Sequence, residues 1–179
     1  WLHDEFARWL TDSLLAGADG TPVDPGFMGS LIAQYGPGVP RTVLNTLAAG
    51  FTLDDALVAV TGLNMASLNT DQLNALDWTR FFQWRLELET RLLNEPDASG
   101  AYLALYDLED PNAAALAQTR LTDPAYAARR PPRVDVVTIT RDANGQTNAY
   151  AQTTRLEGGE TVSELLAWRL AGGTWRRVN

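Results

Sequence analysis

The chain contains no cysteine and no lysine, and its one histidine is His3. Without cysteine there is no disulfide, no thiolate nucleophile and no Cys-based zinc site. Without lysine there is no Schiff-base amine and no P-loop lysine, and all 14 basic residues are arginine. A single imidazole cannot supply the histidine pair of a zinc hydrolase. No apolar run approaches the roughly 18 residues that a membrane-crossing helix needs, so no membrane span is expected in this chain. Positive charge is also scarce: 22 acidic residues leave a net charge of −8. An acidic chain repels phosphate backbones, so no nucleic-acid partner is expected, and the acidity reads as solubility.

What is present fits a globular protein. With 179 residues, 45% hydrophobic and 20% charged, the chain can build one good core or two small ones. Trp1 stands where a complete chain would carry Met. That reads as a fragment or a processed form, with a signal peptide or anchor outside the sequence.

Residues 1–70 read as short helices divided by turns. "DEFARWLTDSLLAG" places Phe6, Trp9, Leu10, Leu14 and Leu15 at helical spacing. "FMGSLIAQYG", "RTVLNTLAAG" and "TLDDALVAVTG" follow as three more, each closed by glycine. Thr52 and Asp55 have the spacing of a capping box. The longest helical pattern is "DQLNALDWTRFFQWRLELETRLLN", 71–94, ended by Pro96. "AYLALYDLED" and "PNAAALAQTRL" continue as helix or turn, with Pro111 suited to a first helical position. "DPAYAARRPPR" reads as a loop because of its paired prolines. The period then changes to two. "VDVVTITRD", "QTNAYAQTTRLE", "ETVSELLAWRLA" and "TWRRVN" read as four strands joined by "DANG", "GG" and "GG". Such short links imply an antiparallel meander, and helices followed by that meander make an α+β fold.

On the long helix Trp78, Phe81, Phe82, Trp84, Leu86, Leu88, Leu92 and Leu93 share one broad face. Arg85 and Glu89 interrupt the middle of it, one turn apart. Buried ions must be paired, so these two are expected to neutralise each other or to meet polar groups from the sheet. Either they are an internal ion pair or they anchor the floor of a pocket, and the former is favoured. In the third strand Val162, Glu164, Leu166, Trp168 and Leu170 share a face, yet the opposite face also carries apolar residues. One face is therefore expected to pack on the long helix. The other is expected to be partly covered, by a dimer partner or by the N-terminal helices. "WRLAGGTWRRVN" mixes tryptophan with arginine, as base-stacking surfaces do. In an acidic chain it reads better as core tryptophans beside a solvated arginine face.

"DWTRFFQWRLELETRLL", "LYDLED" and the meander closing in "WRLAGGTWRRV" resemble the nuclear transport factor 2-like (SnoaL-like) superfamily, over 71–179. The resemblance implies a cone of helices on a curved four-stranded antiparallel sheet, with a cavity between them. That superfamily includes isomerases, dehydratases and many non-catalytic binding or dimerisation domains, so the fold alone does not give function. Its isomerases use a pocket carboxylate with a tyrosine and an acid; Glu89 and Glu164, and Tyr102, Tyr106 and Tyr150, are residues of those types here. No motif assigns them, and no catalytic residue is carried over. Residues 1–70 resemble the C-terminal helical part of gluzincin-type metallopeptidases through "WLHDEFARWL". There Trp1, Leu2 and Ala7 match a W-L-x-E-G-x-A segment, Asp4 falls at the ligand position and Glu5 replaces the glycine. The H-E-x-x-H motif is absent, so no metal site and no cofactor are expected. A plain helical cap is an equal reading of this segment. The peptidase resemblance and the missing start point to the cell exterior or envelope.

The expected function is a non-catalytic binding or association domain, taking a small apolar ligand in the cone or forming a homodimer through its sheet. The expected cone-interior residues are Arg85, Glu89, Trp84, Tyr106, Tyr150, Glu164 and Trp168. Two alternatives stand: an isomerase- or dehydratase-type enzyme using a cone carboxylate, and the C-terminal part of a metallopeptidase or pseudopeptidase.

Overall fold

A computed structural model describes residues 26–179 together with Ala7. The helix expected over "DEFARWLTDSLLAG" and the peptidase-like positions His3, Asp4 and Glu5 lie outside the described residues. The chain divides into two compact units, Trp1–Phe81 and Phe82–Asn179.

In the described part of the first unit four short helices follow one another: α1 (Gly26–Tyr35), α2 (Val39–Ala48), α3 (Leu53–Thr61) and α4 (Thr70–Asn74). Thr52 caps α3 as its spacing predicts. Its hydroxyl accepts the Asp55 amide while the Asp55 carboxylate accepts the Thr52 amide, and Gly62 closes the helix in a left-handed conformation. Asn69 and Gln72 make a second capping box for α4. Phe27, Met28, Leu31, Leu57, Met65, Leu73 and Trp78 form the buried interior of this unit. Trp78 packs its ring 5.0 Å from Phe27 and donates its indole N–H to the Leu73 carbonyl at 2.8 Å.

The single helix expected over 71–94 is two. α4 ends at Asn74, and α5 spans Thr79–Asn94. Asp77 causes the break. Its carboxylate accepts the Thr79 amide, and its own amide is taken by the Ser30 hydroxyl instead of a carbonyl one turn back.

The second unit continues α5 with α6 (Ser99–Leu103), α7 (Pro111–Thr122) and α8 (Pro124–Ala127). Asp110 caps α7 and Asp123 caps α8, each followed by proline at a first helical position where a missing N–H costs nothing. The segment read as a loop from Asp123 therefore starts with a helical turn. The sheet comprises β1 (Arg133–Arg141), β2 (Thr147–Glu157), β3 (Glu160–Ala171) and β4 (Thr174–Arg177), antiparallel in the order β1-β2-β3-β4. The β2–β3 and β3–β4 turns are Gly158-Gly159 and Gly172-Gly173, all four with positive φ. Two successive positive φ values make a type I′ turn, which matches strand twist and requires residues such as glycine. These turns fix the register: Glu157 faces Glu160 and Ala171 faces Thr174.

Alternation then sorts the two faces. Ala149, Ala151, Thr153, Leu166, Trp168, Leu170, Trp175 and Arg177 lie buried on the inner face. Phe82 of α5 meets Trp168 at 4.5 Å and Trp175 at 5.7 Å between ring centroids. The expectation that one face packs on the long helix holds. On the other face Leu165 and Leu156 are 60% and 78% exposed, and Val136 and Tyr150 are also exposed. Tyr150 is therefore not a cone-interior residue. Its neighbours Ala149 and Ala151 take the two inward positions, and a period of two sends the tyrosine outward.

Candidate functional site

A pocket of about 70 Å³ opens among α5, α6, α7, α8, the 129–132 segment and the inner face of the sheet. Helical spacing on α5 brings Leu86, Glu89, Thr90 and Leu93 to its wall. β2 and β3 add Arg155, Glu164 and Leu166, β4 adds Arg177, and α7 adds Arg120.

Glu89 is the centre of a buried polar network. Its Oε2 binds the Arg177 guanidinium at 2.5 Å and accepts the Tyr106 hydroxyl at 3.2 Å. Tyr106 shares a 2.8 Å hydrogen bond with Tyr102 and accepts from Arg120 at 3.1 Å. Glu89 Oε1 is buried without a hydrogen-bond partner. Arg85 does not pair with Glu89. Its guanidinium donates to two backbone carbonyls, Trp175 at 2.8 Å and Leu105 at 3.3 Å. Of the two expectations for this pair, mutual neutralisation is corrected and contact with the sheet is found. The reason is reach: Arg177 projects into the α5 face from the strand beyond, where a carboxylate one turn from Arg85 can meet it directly.

Arg177 was expected on a solvated arginine face and is instead buried, 4% exposed. The Gly172-Gly173 turn pairs it with Trp168 across the β3–β4 ladder, which puts both on the inner face. The segment after α6 then holds it. Leu105 accepts the Arg177 amide and Asp107 donates to the Arg177 carbonyl, both at 2.9 Å, so Tyr106 lies beside Arg177 as an added partner on the β4 edge. Outside this network, Arg169 binds Asp107 at 2.8 Å.

Electrostatics follow burial. Desolvation lowers the Arg85 pKa, against the pull of Glu89. Burial raises the Tyr102 hydroxyl well above the usual phenol range and raises that of Tyr106 as well, and the Glu89 charge raises both further. Both phenols therefore stay neutral donors at physiological pH. Burial opposes the charge on Arg120, but Tyr106 and Glu89 outweigh it and the guanidinium pKa rises.

Of the residues expected in the cone interior, Glu89 and Glu164 line the pocket. Tyr106 stands one hydrogen bond behind it. Arg85 is buried among carbonyls, Trp168 belongs to the aromatic core, and Trp84 is half-buried and apart from the pocket wall. Sequence reasoning missed the arginines. Arg120, Arg129, Arg130, Arg155 and Arg177 all line the pocket against only Glu89 and Glu164, an excess of three positive charges in a chain of net charge −8. The "ARR" run before the prolines was the available signal. Among the described residues no group of His, Cys, Asp and Glu could hold a metal ion, and no helix is long and apolar enough to cross a membrane.

No protein-family model matches the chain, and no curated protein or solved structure matches it either.

Proposed function

We propose that Phe82–Asn179 is a non-catalytic binding domain that takes a small organic ligand with an apolar body at the pocket beside Glu89. The observation that carries this reading is the commitment of Glu89. A catalytic base must be free to turn towards a substrate proton; Glu89 is fixed at Oε2 by Arg177 and Tyr106, and its unpartnered Oε1 is buried. What remains is a preformed concavity in which leucine, tyrosine and proline side chains alternate with five arginines and two glutamates, so that apolar wall and orienting polar groups are both present. Helices followed by a four-stranded antiparallel meander also agree with the nuclear transport factor 2-like element order. The test is NMR of the labelled protein against a panel of eight-carbon amphiphiles with different head groups. Chemical-shift changes should concentrate at Leu86, Leu93, Tyr102 and Leu166. A panel in which no compound moves these residues overturns the reading. An exchange or elimination reaction of a bound compound that is lost in Glu89→Gln would favour the isomerase- or dehydratase-type alternative.

A second reading rests on a different observation. Val136, Tyr150 and Leu165 are exposed apolar residues on one face of β1, β2 and β3, grouped around Gln152, a face suited to self-association. Light scattering should then show a dimer that Leu165→Glu dissociates; a monomer at all accessible concentrations overturns it.

A further inference from the structure

We infer that the ligand of this pocket carries an anionic head group, a carboxylate or a phosphate, held by Arg120, Arg129 and Arg130. This deepens the binding reading above and rests on it. The two carboxylates of the wall are already answered: Glu89 by Arg177, and Glu164 by Arg155 at 2.7 Å. Three guanidinium groups are left over. Arg120 donates to the neutral Tyr106 hydroxyl, and its Nε is buried without a partner. Arg129 reaches Glu157 only at 3.9 Å, with both side chains about half exposed. Arg130 makes no hydrogen bond or ion pair among the described residues.

The surplus charge is also positioned. The Tyr126 ring lies 4.6 Å from the Arg129 guanidinium carbon and 5.4 Å from that of Arg120, so one aromatic ring steadies both. Guanidinium groups offer paired N–H donors that match the two oxygens of a carboxylate or phosphate. The inner pocket, about 70 Å³, has room for such a head and little more. Arg129, Arg130, Pro131 and Arg155 also line an adjoining surface groove of about 580 Å³, where Arg133 adds a further cation, Glu157 is the one carboxylate, and Leu156 is apolar. That volume lies in the range of small-molecule sites, and the groove would carry the body of the ligand. In a chain of net charge −8, a cationic concavity of this kind focuses an attractive field on anions that the rest of the surface repels.

The experiment is calorimetric titration of the whole chain with octanoate, octyl phosphate, 1-octanol and octyltrimethylammonium, which share one tail. Octanoate, octyl phosphate or both should bind at least about tenfold more tightly than octanol, the equivalent of one charge-assisted hydrogen bond. The cation should bind most weakly. Raising salt should weaken only the anions. Arg129→Gln/Arg130→Gln alters exposed residues and should keep the fold while losing about tenfold in anion affinity, with octanol unchanged. Arg120→Gln should act in the same direction. The relative affinities of octanoate and octyl phosphate identify the head group. Equal binding of octanol and octanoate overturns the anionic head and leaves the binding reading standing. No binding by any of the four overturns both. Anion binding that survives the double substitution overturns the assignment to these arginines.

Discussion

Replacing Arg177 by methionine tests the network where its energy is concentrated. Glu89 and Arg177 are 5% and 4% exposed. Charge centres about 4 Å apart attract by about 4 kcal/mol at an effective dielectric constant near 20. Much of that attraction offsets desolvation, so the pair as a whole contributes little. Removing one partner is different, because the remaining charge stays buried with nothing opposite it, at a cost of about 3–5 kcal/mol. Tyr106 still donates to Glu89 and Arg85 still exerts a weaker pull, so Arg177→Met should fall at the lower end, about 3 kcal/mol. Glu89→Met strands Arg177 and should cost a similar amount. The double variant should be no worse than either single one, a coupling of about 2–3 kcal/mol. Arg85→Met frees two carbonyls but removes a buried cation, and should cost only about 1–2 kcal/mol. Arg91→Met is the control. Its pair with Glu95 spans 3.5 Å between side chains 63% and 51% exposed, and its loss should change stability by no more than about 0.5 kcal/mol. Urea unfolding followed by tryptophan fluorescence measures all five. Additive single effects at Arg177 and Glu89, or a larger cost at Arg85 than at Arg177, would refute the pairing.

Trp168→Ala should destabilise by about 3–5 kcal/mol in the same assay, because the ring is fully buried against Phe82; a change below about 1 kcal/mol would remove it from the core. Tyr102 and Tyr106 should both ionise at higher pH than a free phenol. Their raised folded-state values mean that the stability they contribute is complete below the unfolded value near 10 and declines as pH rises above it. Absorbance at 295 nm checks this, and full ionisation of all five tyrosines before unfolding would contradict it. The Asp55 pKa is lowered by hydrogen bonds from the Thr52 side chain and backbone, so its contribution to α3 is complete above the ordinary carboxylate value and is lost as pH falls through its own. NMR titration should place it below 3.8, and a value at or above that would deny the capping box.

The parts of the fold that depend on neighbours in sequence were readable from sequence. Thr52 and Asp55 cap a helix through bonds three residues apart, and the paired glycines at 158–159 and 172–173 form their turns by themselves. Long-range contact defeated the same reasoning. The helix over 71–94 is unbroken by its own pattern, and what favours the break includes a hydrogen bond from Asp77 to Ser30, 47 residues earlier.

Arg85 and Glu89 show the limit most sharply. Placing two ions on an apolar helix face announced a buried polar feature, and that inference holds because desolvation penalises any unanswered charge there. It could not name the partners. Helical geometry offers only neighbours three or four residues away, whereas Glu89 is met from 88 residues along the chain and Arg85 from 90. The register did contain the answer for one of them. A two-residue turn at Gly172-Gly173 places Arg177 opposite Trp168, so assigning Trp168 inward commits Arg177 inward as well. An arginine forced onto a buried face by register needs a carboxylate, and Glu89 is the buried carboxylate that the helix pattern had already exposed. The surplus of Arg120, Arg129 and Arg130 had no such route. They come from a helix end and a proline-bounded segment with no shared period, and only the packed structure shows that they converge on one opening.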